Sequence, residues 1–336
     1  MDLHKHTPDS ETMDLGIGTT SEPAYTPASD HPVSSPTSTP YTPKATDSYS
    51  SPAPGAYSYG PEAAASPLSP IDENDITIND KKSPVVLLVG PPASGKSMSL
   101  VRLARYLRDA GYTITPDLTF KSDPSYKARC EKFMANLNTK EALEGTALNE
   151  FLLVKVVKDG RTICQILEAP GEHYFSSSNT GGKRIHDFPP YLTKIIRTLP
   201  NRKLWLFITE AQWEVHATVK SSYVDMIRSC KDQLLNHADR VVLLYNKVDK
   251  QDHLFKGGKV ILSAAERAMK EEYPALADIF KNPNPITSLW NPYNYTFVPF
   301  CSGYYHQMVG GRESYTESEK RYPEMLWENL LKCIRG

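Results

Sequence analysis

Cysteine is scarce. The chain holds five in 336 residues (Cys130, Cys164, Cys230, Cys301 and Cys333), an odd number with no C-x-x-C pair. That excludes a disulfide framework and a cysteine-based metal site, and it fits a reducing compartment. Long apolar runs are missing too, so no membrane span is expected. The N-terminus shows no basic-then-apolar leader and begins Met1-Asp2, without the glycine that myristoylation needs. Cys333-Ile-Arg-Gly336 puts arginine where a prenylation box wants an aliphatic residue. Aromatics are not interleaved with Arg or Lys as in a base-stacking platform, which disfavours nucleic acid as a partner. A soluble, cytoplasmic protein is expected.

Large aliphatics are thin over residues 1–80, which are rich in Pro, Ser, Thr and Tyr. Such a stretch buries too little apolar surface to offset its ordering entropy, so a disordered tail is expected. It carries two lysines against twelve acidic residues, a formal charge of −10, while residues 81–336 carry +9. The whole-chain charge of −1 therefore hides an acidic tail joined to a basic domain. Eight Ser/Thr-Pro steps lie in the tail. They read as docking or proline-directed phosphorylation sites, or as plain linker composition. A protein partner is expected through this tail or through the loops described below.

What is present is a strong motif. Val85 to Val89 is a short apolar run bounded by Gly90 and Pro91, the mark of a strand covered on both faces. It leads into Gly90-Pro91-Pro92-Ala93-Ser94-Gly95-Lys96-Ser97, followed by Met98. The pattern G-x-x-x-x-G-K-S between strand and helix is a phosphate-cradling P-loop. Gly90 and Gly95 let successive N–H groups face an anion, and the helix that starts near Ser97 adds its positive end. Lys96 would neutralise β- and γ-phosphates, and the Ser97 hydroxyl would ligate Mg²⁺. Leu100, Leu103, Ala104 and Leu107 form one helix face, with Gly111 closing it.

Downstream, a β-like patch spans 112–120 and a helix spans 124–137, capped by Ser122 or Asp123. After a polar loop, 138–149, strands 151–157 and 162–167 are joined at Asp159-Gly160, a hairpin signal. A helix is entered at Pro189-Pro190. Strands are expected at 203–209, 240–245 and 296–300, helices at 221–237, 263–272 and 323–334, and a Pro/Asn-rich loop at 281–295. Strands alternating with helices indicate a three-layer α/β/α sandwich with a mostly parallel sheet and one antiparallel hairpin.

Asn246-Lys247-Val248-Asp249 follows an apolar strand. A carboxylate there accepts two hydrogen bonds from the N1–H and exocyclic amine of guanine, a pair that adenine lacks. Asp249 would thus select GTP, with the Lys247 stem over the base and Asn246 bracing the loop. Ser302 and Gly303, after the last strand, could offer N–H groups to guanine O6.

The order G-x-x-x-x-G-K-S, Thr, x-x-x-G, N-K-x-D and a late Ser resembles the Ras-like (TRAFAC) P-loop GTPases over residues 83–335, and within them the bacterial double-GTPase type. The resemblance implies GTP/GDP and Mg²⁺ as cofactors. It implies Thr146 as the switch threonine on Mg²⁺ and the γ-phosphate, Gly171 as a backbone donor to that phosphate, and Glu168 on Mg²⁺ through water. Two departures stand out. Glu168 replaces the family's Asp, and Glu172, followed by His173, replaces its water-positioning Gln. His173 is then a candidate water-positioner, or both residues are a solvated switch face. Arg129, Lys183 and Arg184 are candidate internal cations, or surface charges.

The reading is a GTP-binding switch with slow, partner-stimulated hydrolysis. One alternative is a non-hydrolysing GTP-binding scaffold, which Glu168 and Glu172 keep open. Another is an ATP-dependent small-molecule or nucleotide kinase, against which N-K-V-D and the missing Arg-rich lid argue. Trp290, Tyr293, Tyr295, Phe297, Tyr304 and Tyr305 cluster late, as core packing or as a docking patch.

Overall fold

Five consecutive apolar residues can all be buried only where a strand has helices on both faces. Val85–Val89 is such a strand, β1, at the centre of a seven-stranded sheet. The computed structural model describes residues 76–139, 151–175, 188–215, 217–307 and 313–336. In chain order, β1 is followed by α1 (Lys96–Asp109), β2 (Thr113–Pro116), α2 (Pro124–Asn136), β3 (Leu152–Lys158) and β4 (Arg161–Glu168). A 3₁₀ turn at Gly171–His173 precedes α3 (Pro190–Thr193), which runs into a π-helical turn at Lys194–Thr198. Then come β5 (Lys203–Glu210), α4 (Ala217–Gln233), β6 (Arg240–Asn246), the short pair β7 (Phe255–Lys256) and β8 (Lys259–Val260), and α5 (Leu262–Glu272). The chain continues through α6 (Leu276–Ile279), α7 (Pro285–Ser288), β9 (Thr296–Pro299), β10 (Gly303–Gln307), β11 (Glu313–Glu317) and α8 (Arg321–Arg335).

The strand order is β2-β3-β4-β1-β5-β6-β9. β4, β1, β5, β6 and β9 are parallel, and β3 pairs antiparallel with both β4 and β2. The expected three-layer sandwich is therefore present, with a further edge strand drawn from the 112–120 patch. The parallel strands end together: Leu88 lies beside Glu168, Val89 beside Phe207, Glu210 beside Asn246, and Tyr245 beside Pro299. Loops that can hold a ligand gather at this carboxyl edge.

Local signals explain most element ends. Asp159 and Gly160 both have positive φ, 50° and 72°, as the two-residue β3–β4 turn requires. Asp123, not Ser122, caps α2; its carboxylate accepts from the Tyr126 N–H at 2.8 Å, worth about 1 kcal/mol. α8 packs on α1, with Leu326 and Leu330 beside Leu100 and Leu103, and Trp327 meets Tyr112 edge-on at 5.2 Å.

Several expectations are corrected. The composition puts the end of the tail at 80, but Ile76 and Ile78 are 3% and 2% exposed, Ile76 bridges to Lys121, and the Thr77 N–H donates to Phe120 O. Two alternating isoleucines suffice to bury this short strand-like piece; residues 1–75 lie outside the described residues. The helix set at 221–237 starts at Ala217 and ends at Gln233, where Leu234 and Leu235 both donate to Cys230 O and close the last turn. The loop at 281–295 contains α7, whose first turn receives the Asn284 side chain on the Ile286 N–H at 2.9 Å. The β10–β11 hairpin is not among the expected elements, although Gly310-Gly311 between its two strands is a turn signal. Of the late aromatics, Tyr295 and Phe297 pack against the core, whereas Trp290 is 89% exposed.

Candidate functional site

The P-loop turns on two left-handed residues, Ala93 (φ 59°) and Gly95 (φ 86°). A Cβ at Gly95 would stand 2.5 Å from Asn246 Nδ2, so glycine is required both for its conformation and for its neighbour. Pro91 and Pro92 have no N–H, so backbone donors that could face an anion are those of residues after them, Ala93 to Ser97 and Met98 at the start of α1.

Lys96 is 6% exposed and its ammonium donates to Gly90 O (3.1 Å) and Pro91 O (2.8 Å). Burial lowers its pKa to about 8, while the charges of Glu168 and Glu172 pull it back up. The Ser97 hydroxyl donates to Glu168 Oε1. Glu168 is 1% exposed, and Arg129 Nη2 lies 3.4 Å from its other oxygen. Arg129 is thus a buried partner of the site and not a surface charge. Lys183 and Arg184 lie outside the described residues, as does Thr146.

The x-x-x-G segment packs tightly on the loop. A Cβ on Gly171 would fall 2.3 Å from Pro92 N and 2.7 Å from Pro91 C, backbone atoms that cannot yield. Gly171→Ala is therefore expected to push 168–175 off the P-loop, costing about 1–3 kcal/mol, read as a lower urea midpoint. An unchanged midpoint would show that this contact is loose. The solvated switch face expected at 172–173 is half absent: Glu172 is half-buried, but His173 is 6% exposed and its Nδ1 lies 2.6 Å from Tyr191 Oη. Tyr191 stacks on Phe151 with centroids 4.6 Å apart, so the aromatic core holds the histidine. Sequence periodicity gave no sign of this anchor.

The N-K-V-D segment is stitched to the P-loop. Asn246 Nδ2 donates to Ser94 O at 2.9 Å, and Lys247 Nζ to Ala93 O at 3.1 Å. Lys247 has φ 60° and is also held by Glu210 Oε1 at 2.6 Å. Glu210, missed at the sequence level, ends β5 beside Asn246 and takes Lys250 at 3.4 Å as well. Asp249 reaches the loop after β9. Burial first, then the charge of the Asp249 carboxylate, push the Cys301 pKa up, and the thiol donates to Gly303 O at 3.8 Å. Next to it, Ser302 O accepts from Tyr315 Oη at 2.6 Å, and Gly303 opens β10 with no room for a Cβ beneath Tyr315. Ser302 and Gly303 thus belong to the same corner as Asp249.

The residues fit a nucleoside phosphate and a divalent cation. Ser94 Oγ and Asn246 Oδ1 are buried without a hydrogen-bond partner among the described residues, at the loop itself. The Ser97 hydroxyl and Glu168 carboxylate converge as hard oxygen donors of the kind Mg²⁺ takes. Among the described residues no cluster of three His, Cys, Asp or Glu forms another metal site, and no helix is long and apolar enough to cross a membrane.

No known family matches the chain, and no curated protein matches it in sequence. Among solved structures it is similar to nucleolar GTP-binding protein 1 of Plasmodium falciparum (15% identity, 76% of this chain and 90% of that one, TM-score 0.36). It is similar to the GTP-bound Ski7 GTPase-like domain of S. cerevisiae (13% identity, 66% of this chain but only 43% of that one, TM-score 0.35). It is also similar to Toc33 of Arabidopsis thaliana (12% identity, 75% and 82%, TM-score 0.39). At these scores the likenesses carry nothing about chemistry, which rests on the chain's own residues: a P-loop α/β/α sandwich whose second motif is fastened to its first.

Proposed function

We propose that the chain is a GTP-binding switch that hydrolyses GTP slowly and that a protein partner accelerates the step. One observation carries this reading: Asn246 and Lys247 hydrogen-bond the carbonyls of Ser94 and Ala93, so a phosphate cradle and a guanine-reading loop form one surface. Asp249 selects the base, and Lys247 lies along it. Lys96 and the N–H groups of Ala93 to Ser97 stabilise charge on the γ-phosphoryl group as water attacks. Ser97 and Glu168, with Thr146, would hold Mg²⁺, which when bound neutralises phosphate charge. The Gly171 backbone sits against the loop, where a shift of 168–175 would report the presence of the γ-phosphate.

The burial of His173 against Tyr191 favours a second reading, a GTP-binding scaffold without turnover. The test is a titration of fluorescent GTP and ATP analogues with Mg²⁺, with phosphate release followed in the same samples. Asp249→Ala is expected to cut GTP affinity about 100-fold, as loss of two charge-assisted hydrogen bonds implies, and to leave ATP binding unchanged. Slow phosphate release supports the switch, and none supports the scaffold. ATP preference indifferent to Asp249→Ala would overturn both.

A further inference from the structure

α2 is seated firmly. Asp123 caps it, Tyr126 Oη donates to Asp117 O at 3.0 Å, and Cys130 and Phe133 are buried in the core. Its far end is held by α1: Arg105 Nη2 donates to Asn136 O at 2.6 Å, and Arg108 Nη2 to Leu137 O at 2.9 Å. This seat carries Arg129 to within 3.4 Å of Glu168 Oε2, at 8% exposure against 1%. The other oxygen of the same carboxylate receives the Ser97 hydroxyl. One buried carboxylate therefore lies between the hydroxyl that would ligate the metal and a fixed guanidinium from a separate helix.

The contact is longer than a tight charge-assisted bond of about 2.7–2.9 Å, so Arg129 acts on Glu168 mainly through charge. A divalent cation at Ser97 enters the field of the same carboxylate and meets that positive charge at short range. In a site this dry, like charges are poorly screened. Removing the guanidinium takes one positive charge from buried Glu168, which keeps the Ser97 hydroxyl and the charge of Lys96, and a metal ion would then meet less competition for it.

We propose that Arg129 is a positioning residue that competes with Mg²⁺ for Glu168 and so sets the Mg²⁺ concentration at which nucleotide is retained. This rests on the guanine-nucleotide reading above. It makes α2 a lever: a partner that draws α2 away would tighten metal and nucleotide, and one that presses it inward would loosen them.

The test measures the dissociation rate of a fluorescent GDP analogue from the full chain across a Mg²⁺ titration, for wild type, Arg129→Gln and Arg129→Lys. Thermal unfolding first confirms that each is folded, and Arg129→Met, which keeps an apolar stem, replaces the Gln variant if that one is not. The Mg²⁺ midpoint is expected to fall at least fivefold in Arg129→Gln and less than twofold in Arg129→Lys. An unchanged or higher midpoint in Arg129→Gln overturns the inference, as does an equal fall in both variants, which would mark a packing role. Failure of the wild type to bind the analogue at any Mg²⁺ concentration would instead overturn the nucleotide reading itself.

Discussion

Lys96→Met is expected to weaken binding of GTP and GDP at least 100-fold while leaving the fold intact. The ammonium is buried, held by two P-loop carbonyls, and faced by Glu168 and Glu172. On the proposed reading, this buried cation is the one that an incoming phosphate would meet. A charged hydrogen bond of this kind is worth about 1.5–3 kcal/mol, and loss of about 2.7 kcal/mol is a 100-fold change in Kd. Methionine keeps the length and apolar stem, and it removes the cost of burying an ammonium, so the thermal midpoint should not fall. Fluorescence anisotropy with labelled nucleotide, beside a thermal melt, separates the two effects. Affinity within threefold of wild type would mean that Lys96 faces no phosphate, and the reading of the loop would fail.

Trp205→Ala should be the most destabilising of the substitutions considered, by about 3–5 kcal/mol. Trp205 is fully buried in β5, between β1 and β6, and stacks on Phe207 with centroids 5.7 Å apart. Its indole N–H donates to Asp239 Oδ2 at 3.2 Å, a carboxylate that also accepts from the Lys203 and Asn236 N–H groups. Truncation leaves a large cavity in the central sheet and loosens the turn that starts β6. Because β5 ends in Glu210 and β6 in Asn246, nucleotide affinity should drop in step with stability. Urea unfolding with an unchanged m-value checks this, and a loss below about 1 kcal/mol would show that the sheet repacks around the gap.

The strands and main helices were legible because their signals are local. β1 and β5 are unbroken apolar runs, the Asp159-Gly160 turn requires positive φ, and α1 repeats its apolar residues at helical spacing. The P-loop and N-K-V-D were legible as well, since their chemistry needs consecutive residues. Arg129 stands out in the sequence only as one of three candidate cations; its contact with Glu168, 39 residues away, was not legible, because its spacing gives no hint of it. Nor were Arg102 and Arg105, which should be exposed on the polar side of α1. Each is 5% exposed, because β11 covers that side and Glu317 pairs with both.

The amino-acid sequence alone determined the fold class and the places of the G-x-x-x-x-G-K-S and N-K-V-D motifs, since each is written in neighbouring residues and short periods. Tertiary structure decided which charges meet. Arg129 on Glu168, Glu210 on Lys247, and Asn246 on the P-loop carbonyls join residues far apart in the chain. Such pairs form only when the parallel strands align their ends, and no local rule encodes that alignment.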